Sequence, residues 1–191
     1  MRLFVAVEIP AGVRDDLASL LKDFRILSSQ LADKRPRWMR PENLHVTLKF
    51  IGEADSAKIE GIRGALSKVR SDGPVDLQFR GLGFFPNETH PRVLWAGMNA
   101  SANLPFLAGD IDRALETQGI AREQRAFAPH LTLARFEPPG VHEKLRAAIQ
   151  KNGEREYGSF QAQAFHLIES KLKPSGAEYT SLASFRFTLE P

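Results

Sequence analysis

The chain of 191 residues contains no cysteine. Disulfides, thiolate metal sites and cysteine nucleophiles are therefore excluded outright. The absence fits a reducing compartment, and a cytoplasmic location is expected. Long apolar runs are missing as well. No stretch approaches the roughly 18 apolar residues that cross a bilayer. The opening run from Leu3 to Val7 is cut by Glu8 and is too short for the apolar region of a signal peptide. There is no P-loop word, hence no support for nucleoside triphosphate use, and no His-Glu-x-x-His. Gly83-Phe84-Phe85-Pro86 is not a nucleophile elbow. No linker or low-complexity tract interrupts the chain, so one compact domain over residues 1–191 is expected.

What is present is ordinary for a globular protein: 42% apolar and 26% charged residues. The net charge of +3 and a pI near 9.3 are compatible with a polyanionic partner. The length suffices for one sizeable core or two small lobes.

Two four-residue words stand out. His45-Val46-Thr47-Leu48 recurs as His130-Leu131-Thr132-Leu133, 85 positions later. Both lie in alternating, β-rich stretches. Side chains alternate between the faces of a strand, so His45 and Thr47 share one face, as do His130 and Thr132. Two such strands could line a single cleft. Two imidazoles near neutrality suit general acid–base chemistry, one ring taking a proton while the other gives one. The Thr hydroxyls can donate to an oxyanion. The remaining histidines, His90, His142 and His166, show no ligand-like spacing, and no metal or other cofactor is expected.

The rest of the pattern predicts strands at 2–8, 44–51, 75–82, 92–98, 130–136, 160–170 and 178–188. Helices are expected at 11–24, 56–70, 104–117 and 141–151. Each half runs strand, helix, motif strand, helix, strand. This spacing suggests an internal duplication, approximately 1–88 and 89–191. The expected fold is α+β: two pseudo-symmetric lobes of mainly antiparallel sheet, outer helices and a central cleft.

The paired His-x-Thr-x words, with Arg2–Val7, Trp38, the run from His45 to Glu53, Pro91–Trp95 and Phe127–Arg135, resemble the 2H phosphoesterase superfamily. Within it the chain resembles the RNA 2',3'-cyclic phosphodiesterases, first described as 2'-5' RNA ligases of tRNA halves. The resemblance spans nearly the whole chain. It implies that His45 is the proton donor to the departing ribose 3' oxygen and His130 the proton acceptor from water. It implies that Thr47 and Thr132 hold the phosphate, that Arg135 contacts the substrate, and that the product is a 2'-phosphate end. Ala128 stands where many relatives carry a basic residue, and Arg125 is the candidate to replace it.

Strict alternation objects to Arg135, which it places on the face opposite His130 unless the strand ends or bulges near Ala134. It places Lys49 on the His45 face, as a possible phosphate contact. Lys34, Arg35, Arg37 and Arg40 around Trp38 read either as an RNA-facing rim or as an exposed loop with an anchoring Trp. Trp38, Phe84, Phe85 and Phe127 are candidates for base stacking, with core packing as the alternative. The expected partner is RNA ending in a 2',3'-cyclic phosphate, with tRNA fragments among the possibilities, and the protein is expected to act as a monomer without a membrane. Alternatives are 2'-5' ligation by the same site, a small-nucleotide phosphodiesterase, and a non-catalytic RNA-end-binding module.

Overall fold

The computed structural model describes residues 1–30, 36–174 and 176–187. Its elements in chain order are β1 (Arg2–Glu8), α1 (Ala11–Ser29), β2 (Arg37–Trp38), β3 (His45–Glu53), α2 (Ile59–Leu66), β4 (Val75–Phe85) and β5 (Val93–Ala100). They continue with α3 (Asn103–Glu116), β6 (Leu131–Arg135), α4 (Glu143–Lys151), β7 (Glu156–Ala162), β8 (Ala164–Lys173) and β9 (Gly176–Arg186). The fold is α+β, as expected.

The described strands form one antiparallel sheet in the order β7-β4-β5-β6-β3-β1-β8-β9, with β2 added beside β6. The two motif strands, β3 and β6, meet in the middle. Each has three further strands on its outer side, which makes the two lobes. The lobes do not follow the expected division at 88/89. β4, from the first half of the chain, pairs with β5 in the second lobe. β8, from the second half, pairs with β1 in the first lobe. The halves exchange a strand, so neither half of the chain closes its own sheet. The helices cross over too: α1 lies against β7, and α3 lies against β3.

Apolar spacing explains the helices. In α1 Val13, Leu17, Leu20, Leu21 and Phe24 are buried on one stripe. The helix runs past the expected end at 24, and the hydroxyls of Ser28 and Ser29 donate to the carbonyls of Arg25 and Ile26 in the last turn. The segment expected as one helix over 56–70 is a 3-10 turn, Ser56–Lys58, followed by α2. The stretch expected as one strand over 160–170 is broken at Gln163, where the chain leaves β7 at one sheet edge for β8 in the other lobe. One continuous core of buried Leu, Ile, Val and Phe fills the space between sheet and helices. A small second cluster of Phe4, Ala6 and Ile168, with Tyr179 against it, lies on the opposite, cleft-lining face of the sheet. No helix among the described residues is long and apolar enough to cross a membrane.

Candidate active site

The site is built where β3 meets β6. Val46 opposes Leu131 at this seam, and both are fully buried against the core. His45, Thr47 and Thr132 therefore turn to the other face, and all three are part-exposed there. Carrying the register on sets Thr47 across from His130 and His45 across from Thr132. Each imidazole then has the other motif's hydroxyl as its cross-strand neighbour.

Both imidazoles are fixed in the same way. His45 Nδ1 lies 2.7 Å from the carbonyl of Asn43, and His130 Nδ1 lies 2.8 Å from that of Ala128. A carbonyl only accepts, so Nδ1 donates in each ring and Nε2 is the nitrogen left to exchange a proton. An aromatic ring backs each imidazole: Phe4 at 4.7 Å from His45, and Phe85 at 4.9 Å from His130. Desolvation lowers the pKa of His45. The Asn43 hydrogen bond opposes this, while the charges of His130 and Arg135 lower it further. His130 and Arg135 thus stand within electrostatic reach of His45.

Arg135 reaches this face through a bulge. Trp95 opposes Thr132 but Leu94 opposes Ala134, which leaves Leu133 as an extra residue in β6. Leu133 and Ala134 are both buried, and Arg135 returns to the Thr132 face. The first motif carries the matching bulge. Ala6 opposes Thr47 and Val5 opposes Lys49, with Leu48 extra. The same device that brings Arg135 into the cleft turns Lys49 out of it.

Lys49 is accordingly a correction. It is 6% exposed and sits between β3 and α3. Its ammonium pairs with Asp112 and donates to the Ala121 carbonyl at 2.7 Å. Asp112 also accepts from the Glu123 amide at 3.2 Å and lies 3.4 Å from Arg122 Nε. Burial alone would raise the Asp112 carboxyl. The Lys49 hydrogen bond, the Glu123 amide and Arg122 outweigh it and hold the pKa below the ordinary value. This pair ties the first motif strand to the segment that leads into the second motif.

Three other expectations are resolved by position. Trp38 stacks toward Phe24 and donates its indole N–H to Ser28 Oγ at 3.1 Å, so it anchors the chain to α1 and does not line the cleft. Phe127 is partly buried against the main core. The Arg125 guanidinium is bound by Glu123, at 3.0 and 2.8 Å, and is not brought to the imidazoles. Of the basic rim, Arg37 pairs with Glu137 at 2.7 Å and Arg40 lies beside Gly176, while Lys34 and Arg35 fall outside the described residues.

Several residues of this face escaped the sequence reading. Phe50, two past the bulge, presents a 59% exposed ring next to Phe4. Tyr179 of β9 sits edge-on to His45 at 5.3 Å. Burial pushes its hydroxyl pKa up, against the charges of Arg135 and Arg2. Trp95 lies flat over β4 and β5: a Cβ on Gly83 would overlap its ring, and one on Gly97 would meet the Arg80 carbonyl at 2.6 Å. Its buried indole N–H has no hydrogen-bond partner among the described residues. No three His, Asp or Glu side chains among those residues are grouped to hold a metal ion.

The chain matches the family described as "LigT like Phosphoesterase" over residues 7–95 and 99–179. It is 34% identical over 179 residues to the RNA 2',3'-cyclic phosphodiesterase of Methanocaldococcus jannaschii, covering 94% of this chain and 96% of that one. It is 32% identical to the enzyme of the same name from Methanothermobacter thermautotrophicus, covering 97% and 98%. Among solved structures, TT0787 of Thermus thermophilus superposes with a TM-score of 0.79 at 29% identity, covering 98% of both chains. E. coli LigT complexed with 3'-AMP superposes with a TM-score of 0.73 at 25% identity, also covering 98% of both.

Proposed function

The chain belongs to the LigT-like phosphoesterase family, and from that premise we propose that it hydrolyses 2',3'-cyclic phosphates at RNA 3' ends to 2'-phosphates, using His45 and His130 as acid and base without a metal ion. The observation that carries this reading is the matched pair of imidazoles. Each is held through Nδ1 by a backbone carbonyl, and neither Nε2 has a hydrogen-bond partner among the described residues.

The phosphate sits between the two motifs. His130 Nε2 takes a proton from a water molecule as its oxygen attacks phosphorus. The P–O3' bond breaks in line, and protonated His45 gives its proton to the departing 3' oxygen. One water is consumed, the ring opens, and the phosphate stays on the 2' oxygen. Thr47 and Thr132 donate to the non-bridging oxygens, whose charge grows in the transition state. Arg135 adds a fixed positive charge beside them. The exposed Phe50 ring supplies a stacking surface for single-stranded RNA.

One feature of the free protein bears on the acid. Burial, His130 and Arg135 all disfavour a proton on His45. The bound phosphate supplies the counter-charge, so His45 takes up its proton together with the substrate. The lowered pKa also favours a second reading, in which His45 is the base and His130 the acid.

The test is turnover of a short RNA ending in 2',3'-cyclic phosphate, with EDTA present, by the wild type, His45→Ala and His130→Ala, the product being assigned by phosphorus NMR. EDTA-resistant formation of the 2'-phosphate, reduced about 10²- to 10⁴-fold in each variant, supports the proposal. Turnover that EDTA abolishes, or that survives either substitution, overturns it. RNA that stays bound to both variants with no turnover by the wild type points to an end-binding module.

A further inference from the structure

A cavity of about 140 Å³ opens directly beside His45. Its lining comes from β1 and the turn after it, the start of α1, the turn before β3, and strands β3, β8 and β9. None of it comes from β6 or from the other strands of the lobe that carries His130. Ile168 and Tyr179 give it an apolar wall, and Glu8, Glu42 and Arg14 give it charged edges. Glu42 and Arg14 have no ion-pair or hydrogen-bond partner for their side chains among the described residues. Glu8 faces His166 Nδ1 at 3.8 Å.

The proposed in-line reaction decides what lies there. The 3' oxygen leaves on the His45 side, and it carries the terminal ribose and base. The nucleoside is therefore held in the first lobe, next to this cavity. We propose that the cavity is the subsite for the terminal base and that it selects guanine. This rests on the phosphodiesterase reading above and names its preferred substrate end.

The chemistry of the edges carries the choice. A carboxylate only accepts hydrogen bonds and a guanidinium only donates them. Guanine sets two N–H donors side by side, N1–H and the 2-amino group, which match a carboxylate in pairs. On another edge it sets two acceptors side by side, O6 and N7, which match an arginine fork. Adenine and cytosine put an acceptor next to their single amino group, and uracil flanks its one N–H with carbonyls. A carboxylate facing any of these meets at least one lone pair. The apolar wall formed by Ile168 and Tyr179 takes the base plane, in the manner of single-stranded RNA recognition.

The experiment compares kcat/KM for four dinucleotides that end in guanosine, adenosine, cytidine or uridine 2',3'-cyclic phosphate, for the wild type and Glu42→Gln. The expected result is at least a tenfold preference of the wild type for the guanosine end. Glu42→Gln lowers that end about tenfold and the other three by less than threefold, so the preference collapses. A wild type that treats all four ends alike overturns the proposal, as does a Glu42→Gln variant that lowers all four equally. A second arm measures binding of guanosine 2'-monophosphate and adenosine 2'-monophosphate without turnover. If the wild type turns over no cyclic end, the functional reading fails. The binding arm still decides this one: tighter guanosine binding that Glu42→Gln abolishes supports the subsite, and equal binding refutes it.

Discussion

Replacing Lys49 by methionine tests the buried pair behind the site. The substitution keeps the aliphatic length but removes the ammonium that faces Asp112 and the Ala121 carbonyl. Breaking one side of a buried ion pair costs about 3–5 kcal/mol, because the remaining charge is left buried. Asp112 keeps the Glu123 amide at 3.2 Å and Arg122 at 3.4 Å, and the Arg122 side chain is 46% exposed. The loss should therefore sit near the lower end, at about 3 kcal/mol. For a chain of this size each kcal/mol moves Tm by roughly 2–4 °C, so a drop of about 6–12 °C is expected in a calorimetric scan at pH 7. The double variant Lys49→Met/Asp112→Leu removes both charges and should regain most of the loss. The pH dependence has a definite sign. The Asp112 pKa is depressed in the folded state, so its contribution is complete above the ordinary aspartate value of about 3.9. It disappears as the pH falls through the depressed value. The gap between wild type and Lys49→Met must shrink in acid. Cyclic-phosphate turnover, measured well below the variant's Tm, should stay within about threefold of wild type, as Lys49 touches no reacting group. An unchanged Tm with turnover down a hundredfold would refute this reasoning and return Lys49 to the cleft.

Arg135→Gln removes a positive charge that lowers the His45 pKa. The His45 titration followed by NMR should move up in the free protein, while kcat/KM falls for lack of the phosphate contact; a downward move would show that Arg135 does not face His45. A substrate with sulfur at the 3' position separates acid from base, since a thiolate departs without a proton. The loss in His45→Ala should shrink on this substrate and that in His130→Ala should persist, and the reverse outcome would select the exchanged roles. Trp38→Ala should lower Tm without weakening RNA binding, because the ring packs on Phe24 and bonds Ser28. Phe50→Ala should weaken RNA binding with Tm nearly unchanged, since its ring is mostly solvent-exposed. Equal effects of both variants in the RNA-binding assay would contradict the faces assigned to them.

Local pattern determined much of this protein. Strand alternation up to the bulges, over Leu44–Leu48 and Leu131–Leu133, and the apolar stripe of α1, follow from which residues avoid water, and that preference is written residue by residue. The repeated His-x-Thr-x word placed an imidazole and a hydroxyl on one face of each motif strand for the same reason. Tertiary structure decided what pairing decides. The bulges at Leu48 and Leu133 exist because β1 and β5 oppose the motif strands with one residue fewer. They exchange the faces of the residues that follow directly, which turned Lys49 to the core and brought Phe50 and Arg135 to the cleft. A bulge has no local hydrophobic signature here, since Leu48, Leu133 and Ala134 are apolar wherever they point. The break at Gln163 was hidden likewise: β7 and β8 both read as strand, and only their partners, β4 and β1, reveal that the chain changes lobes. Tyr179 meets His45 through β8 and β1, across 134 positions of sequence. No local rule carries that contact, because it is fixed by the strand order of the sheet.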